Sequence, residues 1–247
     1  MFRHQGKRRT FKHNVQLASF LSFVAGVVNV AGFLSIQQLT TNVTGHFALF
    51  INDVAELEVW KGTIYFLYFF SFLFGSFAAS IIIDIFKYNK KMNVYLIPTF
   101  IEAFILVGIA ILYRFPAIAI PDLIACLLLF AMGLQNSFVT KISNAVVRTT
   151  HLTGLFTDLG IELSHLFFPK RYPQHELIIS TIKLRIYIIG NFFLGGLIGG
   201  FIYTRMGLGM DTLIFAAAVL LISIFYDDYR IRLTLKIRRF FQAREQS

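Results

Sequence analysis

Charge is scarce in this chain: 15 % of its residues are Asp, Glu, Lys or Arg, where an ordinary soluble domain carries about a quarter. No polar stretch is long enough to form a soluble domain of its own. Cysteine occurs once, as Cys126, which excludes an intrachain disulfide and a cysteine-based metal centre. Lying in an apolar run, Cys126 reads as a small packing residue. The phosphate-binding pattern Gly-x-x-x-x-Gly-Lys-[Ser/Thr] is missing, so any energy coupling has to use a gradient or a partner. Neither Gly-x-Ser-x-Gly nor His-Glu-x-x-His occurs, and with them go the usual serine-hydrolase and zinc-protease signatures. No cofactor and no metal site are expected.

What is present is grease. Hydrophobic residues make up 56 % of the chain, 29 of them phenylalanine. Several runs of roughly 17–25 apolar residues are long enough to cross a bilayer core of about 30 Å. The reading is an integral, all-α membrane protein whose first partner is the lipid bilayer. The N-terminal apolar run is long and lacks a small-residue cleavage site, so it reads as a retained first helix.

Six spans are expected, at about Val15–Ile36, Gly62–Phe86, Asn93–Tyr113, Leu123–Val139, Ile186–Tyr203 and Thr212–Tyr226. Basic tails, 1–14 and 227–247, flank a single transmembrane domain, 15–226. The net charge of +10 does not indicate nucleic acid, because the basic residues sit in the tails and in alternate connections. If the N-terminus is cytoplasmic, only Lys61, Arg114 and Arg205 of the 23 Lys and Arg fall on the outer side. That asymmetry predicts six crossings with both ends cytoplasmic. The C-terminal tail, with Arg238, Arg239, Phe240 and Phe241, would lie on the anionic leaflet.

An internal repeat runs through the chain. Gly26-x-x-Asn29 matches Gly133-x-x-Asn136, and Thr41-x-x-Thr44-Gly45-x-Phe47 matches Thr150-x-x-Thr153-Gly154-x-Phe156, with two extra residues between the elements in the second copy. Gly75 to Ser80 resembles Gly195 to Gly200 in its small residues. Three crossings per copy (about 15–114 and 122–226) force the second copy into the membrane upside down. The expected fold is therefore two inverted three-helix repeats, with broken or re-entrant polar segments after helices 1 and 4. Secondary transporters recurrently use such a plan.

These paired motifs, with Gly-Leu-Gln-Asn at 133–136 and Arg-Thr-Thr-His at 148–151, resemble the YoaK family of bacterial membrane proteins over about residues 15–226. The resemblance implies a multi-pass protein of the bacterial cytoplasmic (inner) membrane. It supplies no substrate and no catalytic residues.

Candidate binding residues are Asn29, Thr41, Asn42, Thr44, Gly45 and His46 in the first copy, and Asn136, Thr150, His151, Thr153 and Gly154 in the second. Glycine permits close approach of a ligand, and hydroxyls satisfy backbone groups freed where a helix breaks. A capped turn between two helices accounts for the same residues without a ligand. The asparagines either ligate a substrate or bond to another helix. Glu102, Asp158 and Glu162 are the candidates for proton or ion coupling. Glu102 lies mid-span, where an ionisable group is a functional hypothesis by default. Asp158 and Glu162 share a helical face with Gly154 and His165, which would line a cavity or simply face water. His46 and His151 lack the acidic or cysteine partners of a metal site. The small residues of 75–80 and 195–200 are assigned to helix packing.

The function expected is a small secondary transporter or permease, an exporter among the options, of an unidentified small molecule or ion. The alternatives are a membrane-embedded enzyme and a non-transporting scaffold. Association with further copies of the chain stays open.

Overall fold

Helix α1, Phe11–Ile36, and helix α5, Pro121–Ser143, form the centre of the molecule. Both are apolar all round, as helices buried on every side must be. Small residues, Ala18, Ala25, Ala31 and Ala125, Ala131, let neighbours close in on them to full burial. The computed structural model describes residues 10–86, 94–115 and 120–224. Most of the two basic tails, together with Lys87, Lys90 and Lys91, lies outside the described residues.

Helices α2 (Val43–Ala55), α3 (Val59–Phe86), α4 (Leu96–Leu112), α6 (Leu152–His165) and α7 (His175–Thr204) follow in chain order. A turn of 3-10 helix, Gly209–Asp211, leads into α8, residues 212–224. The described residues contain no strand. The helices Phe11–Ile36, Gly62–Phe86, Pro121–Ser143 and His175–Thr204 are long and apolar enough to cross a membrane, while Leu96–Leu112 and Gly209–Ile224 are apolar but shorter. The outward faces of α3 and α7 carry Phe74 and Phe77, and Phe193, Leu197 and Phe201, all exposed. So broad an apolar surface suits lipid rather than water. This is a multi-pass membrane protein.

Packing crosses between the halves of the chain. Helix α1 lies chiefly against α7, and α3 against α5, while α2 rests on α3 and α6 on α7. Both main contacts are made backbone to backbone at glycine. A Cβ added to Gly26 would fall on the carbonyl oxygen of Phe192, and one added to Gly195 on that of Phe23. In the other pair, Gly133 meets the carbonyl of Phe72, and Gly75 that of Phe130. Distances this short are compatible with Cα–H···O contacts, which recur at close helix crossings. Positions 23 and 26 stand to 192 and 195 as 130 and 133 stand to 72 and 75, so one crossing is made twice. Ser76 adds a hydrogen bond from its hydroxyl to the Gly133 carbonyl, 2.9 Å.

The helix limits follow the apolar runs, with one large departure. The expected fifth span starts at Ile186, but α7 starts at His175. Lys183 and Arg185, which read as connection, are helical. Arg185 stays in the helix because its charge is answered by Asp158 and Glu162, at 3.0 and 2.8 Å. Two further ion pairs tie helix ends together: Lys141 on α5 to Asp84 on α3, 2.7 Å, and Arg114 after α4 to Asp211 before α8, 2.8 Å.

Candidate functional site

Each of the two central helices ends on a left-handed residue, and each chain then turns back along the helix it has just left. Gln37 (φ 57°) caps α1, and Asn144 (φ 54°) caps α5, followed by Ala145 (φ 62°). This backbone reverses direction where a continuing helix would run on. The second turn spends its two extra residues around Ala145, whose N–H donates to Thr140 O at 2.8 Å.

The returning segments are pinned by matching bonds. The Thr41 hydroxyl donates to Asn29 Oδ1 at 2.8 Å, and the Thr150 hydroxyl donates to Asn136 Oδ1 at 3.0 Å. One residue earlier, Thr40 and Thr149 are wholly buried. Thr40 donates to Val28 O, 3.4 Å, and its methyl occupies the space that a side chain at Gly32 would need. Thr149 accepts from Gln135 Nε2, 3.1 Å, which also bonds Leu21 O on α1, 3.1 Å. Asn29 and Asn136 thus hold the fold-back, each on its own helix. Both lie seven residues before the helix end, so the chain returns by roughly 10 Å at 1.5 Å per residue.

From these return points α2 and α6 begin. Asn42 caps α2, its Oδ1 accepting the Gly45 N–H at 3.3 Å. The first turns of both helices line one cavity of about 940 Å³. Asn29, Thr41, Asn42 and Thr44 reach it from the first half, and Thr150, His151, Thr153 and Gly154 from the second. The two repeated motifs, which the sequence leaves open as halves of one site or as two separate gates, line a single space. Among the described residues, no Asp, Glu, Lys or Arg lines it.

Three candidates stand away from this cavity's lining. Gly45 serves the α2 cap. Asn136 is occupied by Thr150 and, through Nδ2, by Met132 O at 2.8 Å. His46 is buried between α2 and α3, where a ring nitrogen contacts Leu39 O at 2.8 Å and the ring packs edge-on to Tyr68, centroids 5.0 Å apart. Its Nδ1 has no partner among the described residues. Burial pushes the His46 ring below the usual histidine range, against a smaller upward pull from the Leu39 carbonyl. Tyr68 carries the contact onward, its hydroxyl donating to Asp122 Oδ1.

The acidic candidates divide. Asp158 and Glu162 are both engaged by Arg185, Glu162 through two hydrogen bonds of 2.8 Å from Nε and Nη2. Asp158 and Arg185 help line a second cavity, about 450 Å³, which shares His151 and Gly154 with the first. Glu102 on α4 is fully buried, and neither carboxylate oxygen has a hydrogen-bond partner among the described residues. His165 stacks on Tyr172, centroids 3.9 Å apart.

The apolar wall of the larger cavity was not among the candidates. Phe47, Phe69, Phe70, Phe72 and Phe192 form it, with Phe47 and Phe69 stacked at 4.3 Å. With so many phenylalanines in the chain, nothing in their spacing marks those that turn inward. Gln135 was also passed over, although Gly133-Leu134-Gln135-Asn136 contains it, and it joins α5, α1 and the second fold-back.

Among curated proteins, the chain is similar to the UPF0700 transmembrane protein YoaK of Bacillus subtilis (strain 168), with 28 % identity over 187 residues covering 70 % of this chain and 79 % of that protein. No solved structure matches it. A family model described as "Protein of unknown function (DUF1275)" matches residues 17–226. That span holds both fold-backs, the cavity and every apolar helix but the first six residues of α1, and the chain accordingly belongs to the DUF1275 family, of which YoaK-like proteins are members.

Proposed function

We propose that the protein is a small secondary transporter of the bacterial cytoplasmic membrane, built from two inverted three-helix halves with both termini in the cytoplasm. One observation carries the reading: the repeated Thr-x-x-Thr-Gly segments of both halves line the same cavity. A capped turn explains either segment alone, but gives no reason for two distant ones to face each other across an uncharged space. Half-helices that start near the middle of a bundle and flank a substrate are a recurrent transporter arrangement. The duplicated glycine crossing and the matched Asn–Thr bonds support the internal symmetry. The ion pairs Lys141–Asp84 and Arg114–Asp211 sit where the charge count puts opposite membrane faces.

In this reading, Glu102 is the coupling group, because Asp158 and Glu162 are committed to Arg185. The last two helices of each half, α3 and α4 or α7 and α8, would rock about the glycine crossings while the cavity changes its access. The test is flux in proteoliposomes across a metabolite panel, with and without an imposed proton gradient. Substrate-dependent flux that falls at least tenfold in Thr44→Val and Thr153→Val is expected. Absence of flux for every compound under both conditions overturns the transport reading.

A further inference from the structure

The larger cavity has a chemistry specific enough to name the kind of molecule it takes, an inference that rests on the transport reading. Its size, about 940 Å³, is near the top of the range of roughly 300–1,000 Å³ for small-molecule sites. Its lining combines phenylalanine and leucine side chains with hydroxyls, amides and the His151 ring. What matters is which half of each amide the cavity sees. Asn29 Oδ1 accepts from Thr41, and Asn42 Oδ1 accepts from the Gly45 N–H. Both amide oxygens are thus engaged inside the protein, while neither Nδ2 group has an acceptor among the described residues.

The hydroxyl protons follow the same pattern. Thr41 and Thr150 donate to asparagine oxygens, and Ser76 donates to the Gly133 carbonyl. Among the described residues, the Thr44 and Thr153 hydroxyls have no acceptor, which leaves their protons to a ligand. Side-chain N–H and O–H donors are therefore in supply, and no carboxylate among the described residues lines the space. An ammonium group entering it would shed water without gaining a counter-charge, which is costly.

We infer that the cavity binds a small molecule with an apolar, ring-sized body and a head that accepts hydrogen bonds, a carbonyl or a carboxylate, and that it rejects amines. The body stacks on the phenylalanine wall, and the head faces Asn29 and Asn42. Cationic metabolites and inorganic cations are outside its range.

A matched series tests this: indole-3-acetamide, indole-3-acetate and tryptamine share one ring and differ in the head. Isothermal titration of the detergent-purified full chain should show binding of the amide or the acid at least tenfold tighter than of the amine. Asn29→Leu should weaken the favoured ligand at least tenfold. Asn42→Leu is the second variant, since it leaves the Asn29–Thr41 fold-back bond in place, and a melting curve checks that each variant is folded. Equal or tighter binding of tryptamine overturns the inference, as does failure of all three compounds to bind. The outcome is separable from that of the transport reading. Head-selective binding without liposome flux sinks transport and leaves the site, whereas flux of a cationic substrate does the reverse.

Discussion

Alanine substitutions at glycine divide into two groups of opposite sign. At Gly26, Gly75, Gly133 and Gly195 the atom met by an added Cβ is a backbone carbonyl oxygen of the crossing helix. No side-chain rotation relieves that overlap, so the two helices have to separate. Overpacking of this kind costs typically 1–3 kcal/mol, and the rigid backbone on both sides puts these four sites near the upper end. Replacing a helical glycine by alanine returns about 1 kcal/mol, leaving a net loss of about 2 kcal/mol per site. At Gly108, Gly160 and Gly190 nothing lies within 4 Å of the added Cβ, so only the gain of about 0.5–1 kcal/mol applies. The two groups should differ by about 3 kcal/mol, or roughly 6–12 °C in melting temperature for a chain of this size. Thermal unfolding of the detergent-purified variants reads this directly. Combination sharpens the test: Gly26→Ala with Gly195→Ala opens one interface and should cost less than the sum, while Gly26→Ala with Gly133→Ala opens two and should add. Melting temperatures of the two groups within about 2 °C of each other, or additivity in both pairs, would refute the crossing geometry.

Three further expectations follow from the site. Arg185→Met leaves Glu162, whose side chain is 15 % exposed, without its cation; partial burial suggests a loss of about 1–3 kcal/mol, less than for a fully buried pair. The double variant with Glu162→Gln should recover part of it in the same melting assay. Burial of His46 holds its pKa below the ordinary histidine value of 6.5, so in the acidic range just below 6.5 the unfolded chain binds more protons than the folded one. Stability is then greatest above that pH and falls as pH drops towards the lower folded value; His46→Phe should flatten that part of the melting-temperature profile. Glu102→Gln should keep downhill substrate flux but lose accumulation driven by a proton gradient, measured in the same liposomes; unchanged accumulation would remove Glu102 from coupling.

Much of the bundle is legible because a membrane helix announces itself by length and apolarity. The limit at Ile36 is read directly from the run that ends there. The start of α7 was not legible. Lys183 and Arg185 look like connection until Asp158 and Glu162, more than twenty residues earlier, are found beside Arg185. The repeat carried further than hydropathy did. It picked out Asn29 with Thr41 and Asn136 with Thr150 as counterparts, and each pair turns out to be one hydrogen bond. It gave no means of knowing that the two motifs share a cavity, because that depends on how far each chain folds back from Gln37 and Asn144. His46 and His151 show the same limit: adjacent in the motif, they part company in space, one packed on Tyr68 and the other at the cavity wall.

The exchange of partners between halves bears on how the chain is made. Helix α1 finds its main neighbour in α7, more than a hundred residues later, and α3 finds its own in α5. During synthesis the first half enters the bilayer with Gly26 and the carbonyl of Phe23 facing lipid, waiting for residues not yet translated. Neither half carries both sides of a glycine crossing, so two co-expressed fragments divided near residue 117 should accumulate together and be degraded singly.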